Sequence, residues 1–241
     1  MRNKQRHRGF SLTEVLLAVG TLAIGMTFIS GTFLTGIHLT AIATERTLAA
    51  VIADEAFAKV RLYGVDLTDP NLAPIQATRF DAINPIAPSE FAYPSTKAPT
   101  GKQFYWSALC RLAASDPTNR LVQVTVFVSR KVGAATTYPG GESRPVPVAV
   151  GVSVVTGLGN ESRLTITNQA EQTFINGGGT IVDSQTGQIY RVLQRDTDAS
   201  NTFVLDKNWQ GATSGTVWVV PPPIGGGKYP CIAVYQKLIA F

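Results

Sequence analysis

The sequence predicts an α+β chain: a long N-terminal helix, transmembrane in its first half and amphipathic in its second, packed on an antiparallel β-sheet, with an additional small β-barrel or β-sandwich-like C-terminal region. Three observations predict it. Val15 to Thr44 is a run of 30 residues without Asp, Glu, Lys or Arg. No proline interrupts Phe10 to Leu62. Beyond residue 100, short β-branched and aromatic runs alternate with Gly, Pro, Asn and Asp clusters, the pattern of strands and turns. The divisions that follow are a basic leader at 1–9, a long helix at 10–62, a Pro-rich connector with a sheet at 63–156, and a β-rich module at 157–241.

The uncharged run exceeds the roughly 20 residues a bilayer-spanning helix needs. It also exceeds the roughly 7 to 15 apolar residues of a cleaved secretory signal, and it continues without a break into an amphipathic pattern. There Leu48, Ile52, Ala56 and Val60 recur at four-residue spacing, with Val51 beside them. Glu45, Arg46, Asp54, Glu55, Lys59 and Arg61 occupy the other sides, and Glu55 to Lys59 is a favourable i,i+4 pair. One helix over residues 10–62 would be roughly 80 Å long. Gly20, Gly25, Gly31 and Gly36 punctuate its apolar half. Each lowers helix propensity, and small residues permit close packing between helices in lipid.

Arg2, Lys4, Arg6 and Arg8 precede Gly9 without a compensating acid, which orients the span with its N-terminus in the cytoplasm. The remainder carries 17 basic against 16 acidic residues. The pI near 9.3 therefore belongs mostly to the first nine residues. No basic stripe with interleaved aromatics occurs, and no nucleic-acid partner is expected.

Glu14 is the one acid at the mouth of the apolar run, and two readings apply. Ser11-Leu12-Thr13-Glu14 fits the S-x-x-E capping box, in which the acid satisfies a free amide at a helix start. Alternatively, a cut after Gly9 would give Phe10 an α-amine one turn before Glu14. In a staggered array of parallel helices, the amine of one copy would pair with Glu14 of the next. An acid in an apolar bundle is costly unless paired, so such a pair would set the register.

Six prolines between residues 64 and 101 (Pro70, Pro74, Pro85, Pro88, Pro94 and Pro99) predict an irregular, surface-running connector. Strands are predicted over 104–112, 121–129 and 146–156, forming an antiparallel meander. Asp116-Pro117-Thr118-Asn119 supplies one of its turns. Val122, Val124, Val126 and Val128 form the face expected against Leu48, Ile52 and Val60. Gly157-Leu158-Gly159-Asn160 marks a break. Short strands follow at 163–167, 180–183, 188–193, 202–205 and 216–220, at the spacing of a small barrel or sandwich. The apolar segment 229–241 is placed back in the first sheet, bringing Cys231 near Cys110. In an exported domain these two cysteines could pair; the alternative is two buried free thiols.

Little in the sequence points to catalysis, and no catalytic residue, metal site or cofactor is assigned. The two histidines are His7, in the leader, and His38, in the apolar run, so Ser-His-Asp, Cys-His and His-zinc arrangements beyond the helix have no histidine to use. Gly225-Gly226-Gly227-Lys228 lacks the first glycine and the hydroxyl of a P-loop. Asp196-Thr197-Asp198 has no Gly turn or distal Glu and reads as a solvated hairpin tip rather than a calcium loop.

The stretch RGFSLTEVLLAV, with Gly9, Phe10, Ser11, Leu12, Thr13 and Glu14, resembles the N-terminal processing motif of type IV pilins and type II secretion pseudopilins. The segments AIGM at 23–26 and RTLAAVIADEAFAKVRL at 46–62 look like the minor pilin and minor pseudopilin branch. The resemblance implies cleavage between Gly9 and Phe10 by prepilin peptidase, N-methylation of Phe10, and a role for Glu14 in filament assembly. Its implied partners are prepilin peptidase, other pilin or pseudopilin subunits and an inner-membrane assembly platform. Its implied location is the bacterial inner membrane and then a periplasmic or extracellular filament. The alternative from the residues alone is an uncleaved, membrane-anchored adhesin-like protein with a β module.

Overall fold

The computed structural model describes residues 11–95, 103–114, 120–132, 137–155, 162–196, 199 and 201–241. The chain divides into two compact units, Met1–Glu45 and Arg46–Phe241. Helix α1, Leu12–Tyr63, runs through both. It is the one helix among the described residues long and apolar enough to cross a membrane.

In the first unit every side chain between Ser11 and Gly20 is exposed, and large apolar residues farther along, such as Phe28 and Phe33, are too. All seven hydroxyls of the uncharged run bond back to carbonyls three or four residues earlier: Thr21, Thr27, Ser30, Thr32, Thr35, Thr40 and Thr44. Such bonds let a polar side chain sit in an apolar solvent without a partner elsewhere.

In the second unit α1 buries Ala49, Ile52, Ala53, Ala56, Phe57 and Val60, one helical stripe at three- and four-residue spacing. The predicted stripe was close but turned: Val51 is 51% exposed, and Phe57 and Ala53 take the place expected for it. The helix stops at Gly64, whose φ of 77° is left-handed and whose N–H donates to the Val60 carbonyl at 3.0 Å.

After α1 come β1 (Thr78–Arg79), α2 (Phe80–Ile83), a 3₁₀ turn (Pro88–Phe91) and β2 (Ala92–Tyr93). The connector is therefore not simply surface-running. Phe80 and Phe91 are buried against Trp106, with ring centroids 6.4 and 4.7 Å away. The prolines break regular structure, but two aromatics spaced among them still reach the core.

Strands β3 (Phe104–Leu112) and β4 (Leu121–Arg130) pair antiparallel. The turn predicted at 116–119 lies outside the described residues. Val122, Val124, Val126 and Val128 are all fully buried in one core with Ile52, Phe57 and Val60, and Leu48 packs at its margin. The last strand, β11 (Cys231–Ala240), returns to pair with β4, as the terminal apolar segment suggests. The sheet runs β1-β3-β4-β11, with β2 also on β3.

Strand β5 (Val148–Val154) does not extend this sheet. It opens a closed barrel with β6 (Arg163–Ile166), β7 (Thr180–Asp183), β8 (Ile189–Arg195), β9 (Thr202–Leu205) and β10 (Ser214–Val219), in the order β10-β5-β6-β9-β8-β7. The expected third strand of the meander thus belongs to the C-terminal module, and that module begins before residue 157. The reason is that β11 occupies the β4 edge that β5 would have needed. The predicted break at 157–160 lies outside the described residues.

The barrel interior is filled by fully buried apolar side chains, including Leu164, Ile181, Tyr190, Val192, Phe203 and Val217. A third cluster joins barrel and sheet through Leu109, Phe127, Val182 and Val220. Arg111 reinforces it. Its Nη1 donates to the carbonyls of Pro74 and Gln185 at 2.8 and 2.6 Å, and its Nη2 donates to that of Thr186 at 3.0 Å.

Candidate functional site

The helix start is the first candidate, and its residues form a local cap. Ser11 has the N-cap role: its Oγ accepts from the Thr13 N–H at 3.3 Å, and its carbonyl accepts from the Val15 N–H at 3.2 Å. Glu14 reaches back, its Oε2 accepting from the Ser11 N–H at 3.3 Å. Two amides that a helix start leaves without partners are thus satisfied by side chains three residues apart. The carboxylate also lies at the positive end of the helix dipole. Gly9 and Phe10 lie outside the described residues.

Along the apolar run, Gly20 and Gly31 are eleven residues apart, as are Gly25 and Gly36, so each pair lies nearly in line on the helix. Among the described residues a Cβ added at any of the four would meet nothing within 4 Å. Their smallness is not used by contacts among the described residues. His38 is exposed on the same segment.

The two cysteines are free. Cys110 is opposite Val124 on β4, whereas Cys231 is opposite Ser129 on the other flank of the same strand. Two strand spacings alone separate them by about 10 Å, beyond the reach of a disulfide. They also face different cores: Cys110 packs toward α1, and Cys231 packs in the cluster beneath the barrel. The return of β11 to the sheet was readable, but the register that separates the thiols was not. Burial pushes both thiols up to about 12, so neither is a ready nucleophile or metal ligand.

The strongest charged cluster of the second unit was not predicted. Arg144, 5% exposed, donates to the Asp81 carboxylate and to Ser107 Oγ at 3.0 Å, and its guanidinium lies 4.3 Å from the Phe91 ring centroid. Arg79 adds ion pairs to Asp81 at 2.6 Å and Glu142 at 3.1 Å. Burial alone would raise the Asp81 carboxyl, but the Arg79 and Arg144 guanidiniums hold it below its ordinary value. Every charge has an opposite within the cluster, and the arrangement ties the connector to the approach to β5. It is a structural clamp.

Asp196 forms an ion pair with Arg163 at 2.8 Å, and Thr197 and Asp198 lie outside the described residues. Among the described residues no group of three or more His, Cys, Asp or Glu could hold a metal ion. Gly225, Gly226 and Gly227 have φ of 94°, 91° and 143°, left-handed conformations that suit a tight exposed turn.

No family model, curated protein or solved structure matches this chain. A long apolar helix followed by a β-rich domain is compatible with a pilin-like architecture.

Proposed function

We propose that the chain is a minor pilin or pseudopilin, a structural subunit of a type IV pilus or type II secretion pseudopilus. In this reading prepilin peptidase cuts after Gly9, Phe10 is N-methylated, and the chain enters a filament through its N-terminal helix. Its partners are that peptidase, other pilin or pseudopilin subunits and the assembly platform of the inner membrane, with the N-terminus cytoplasmic before assembly. The reading is supported by one combination: an acid at the fifth position after Gly9, then 30 uncharged residues, on a single helix whose second part docks on an antiparallel sheet. Self-satisfied hydroxyls and unused glycines on the apolar half suit a segment that passes from lipid into a bundle of its own kind.

The direct test is the mass of the protein isolated from its native envelope. Loss of residues 1–9 together with the gain of one methyl group is the expected result. A chain that still begins at Met1 overturns it. Glu14→Ala is then expected to leave cleavage intact and to block incorporation into filaments.

A second reading is favoured by a specific observation: Glu14 already has a partner in its own chain, the Ser11 N–H. An uncleaved, membrane-anchored adhesin-like protein would need nothing more from that residue. The same mass measurement separates the two.

A further inference from the structure

The barrel has no strand edges, because its six strands close on themselves. The sheet has two edges, and they differ. On one side β3 is covered by β1 and β2, of two residues each, and Arg79 of β1 is held in ion pairs with Asp81 and Glu142. On the other side β11 is ten residues long, and among the described residues no strand lies beyond it.

The direction of the β11 amides follows from its register. The Phe241 N–H donates to the Arg120 carbonyl at 3.0 Å, and Ala240 is opposite Leu121. In an antiparallel pair the bonding residues alternate. Ile239, Lys237, Tyr235 and Ala233, opposite Val122, Val124, Val126 and Val128, therefore bond to β4. The opposite parity on β4 bonds to β3, as the Ala113 N–H to Leu121 carbonyl bond confirms at 2.9 Å. Val234, Gln236, Leu238 and Ala240 aim their N–H and C=O groups outward along the open edge.

The usual protections of an edge are weak here. The irregularity between Cys231 and Ala233 protects only the strand's beginning. The one charged residue, Lys237, leans to the helix face, with Nζ 2.8 Å from Asp54 Oδ1 and 4.6 Å from the Phe57 ring centroid. It therefore does not cover the outward amides, but its side chain stays half exposed and keeps a positive charge at the middle of the strand. Leu238, 60% exposed, and Ala240 border the edge with apolar surface.

We propose that β11 is a strand-addition site that takes an extended segment of a different protein. A second copy fits poorly: its other sheet edge has no long strand, and β11 against β11 in the register that uses all four outward residues sets Lys237 against Lys237. The favoured segment is apolar at alternate positions, to meet Leu238 and Ala240, and places an acid across from Lys237. Backbone hydrogen bonds supply the affinity and the acid supplies the register. This inference does not rest on the proposed filament role, because an uncleaved chain carries the same edge.

The test is residue-resolved hydrogen exchange on the full chain in detergent micelles. The probe is a short capped peptide alternating valine and threonine with one central glutamate. Without peptide, the amides of Gln236, Leu238 and Ala240 exchange fast, and those of Tyr235, Lys237 and Ile239 slowly. The peptide is expected to slow the first set by about tenfold or more and to leave the second unchanged. Replacing its glutamate by lysine weakens the protection. Leu238→Pro removes an outward N–H without touching the β4 ladder, so it keeps slow exchange at Tyr235 and Ile239 and loses the response to peptide. Slow exchange at Gln236 and Leu238 before peptide is added, protection without alternation, equal effects of the two peptides, or an undiminished response in Leu238→Pro would overturn the proposal.

Discussion

The two halves of α1 solve opposite problems with one continuous backbone. From Val15 to Thr44 the apolar side chains face outward, among them Leu22 at 60% and Phe28 at 73% exposure, and the polar hydroxyls turn inward to their own carbonyls. From Arg46 to Tyr63 one apolar stripe, Ala49, Ile52, Ala53, Ala56, Phe57 and Val60, is buried on the sheet, and charges pair with partners along the rim: Glu55 with Lys59, Lys59 with Glu90, and Asp54 with Lys237. The first half is built for an apolar solvent or for other helices. The second is built for its own domain. Helical periodicity is common to both, and only the placement of charge tells them apart.

The largest expected effect breaks or upholds that contrast directly. Ile52→Ala removes a side chain with no exposed surface from the helix–sheet core and should cost about 2–5 kcal/mol. Ile29→Ala, at a position 70% exposed, should change the stability of the folded domain by no more than about 0.5 kcal/mol. Intrinsic tryptophan fluorescence during denaturant unfolding measures both, since Trp106, Trp209 and Trp218 all belong to the second unit. Equal losses would mean that the two halves are not energetically separate.

Next in size is the clamp of the connector. Asp81→Ala leaves Arg144 buried without its carboxylate and should cost about 2 kcal/mol, the range for a buried pair reduced for partial exposure. The pH dependence has a definite sign. Because the folded-state value of Asp81 lies below its unfolded one, its contribution is fully present above the ordinary carboxylate range and is lost as pH falls through the folded value. Acid titration of the wild-type domain should therefore show a loss of stability below about pH 4 that is smaller in Asp81→Ala.

The ease of reading these features from sequence follows their physical range. The helix, its uncharged half and the valine face of β4 depend on periodicity within one segment, and five short strands of the barrel are bounded by local turn residues. The strand β5 was misplaced because its own residues suit either sheet equally; what excludes it from the first sheet is β11, some eighty residues later in the chain, on the edge of β4. The Arg144 clamp was missed for the same reason, since Asp81 and Arg144 are 63 residues apart and neither belongs to a spaced motif. Ser11 and Glu14, three residues apart, were readable as a cap because the interaction is local.

A smaller effect tests the helix start alone. Glu14→Ala removes the acceptor for the Ser11 N–H and should loosen the first turn by about 1 kcal/mol, seen as faster amide exchange near Ser11 and Val15. Tryptophan-monitored unfolding of the second unit should not move. A shift there would show that the first turn and the folded domain are coupled along the helix, against the contrast drawn above.

The smallest effect is on overall stability and the most local in its reading. Reducing agent should leave the unfolding transition unchanged, because Cys110 and Cys231 are unpaired. Their separation across the sheet then makes them independent reporters. Cys110 shares a core with Ile52 and Phe57, whereas Cys231 packs in the cluster that joins sheet and barrel. Burial pushes both thiols up to about 12, and Cys110 has no exposed surface, so its labelling by a thiol reagent requires local opening, whereas Cys231 is only partly buried. Ile52→Ala should hasten labelling of Cys110 more than that of Cys231, and Ile29→Ala should hasten neither. If Ile52→Ala speeds both equally, opening of the helix–sheet core also opens the barrel contact, and the second unit behaves as one cooperative block.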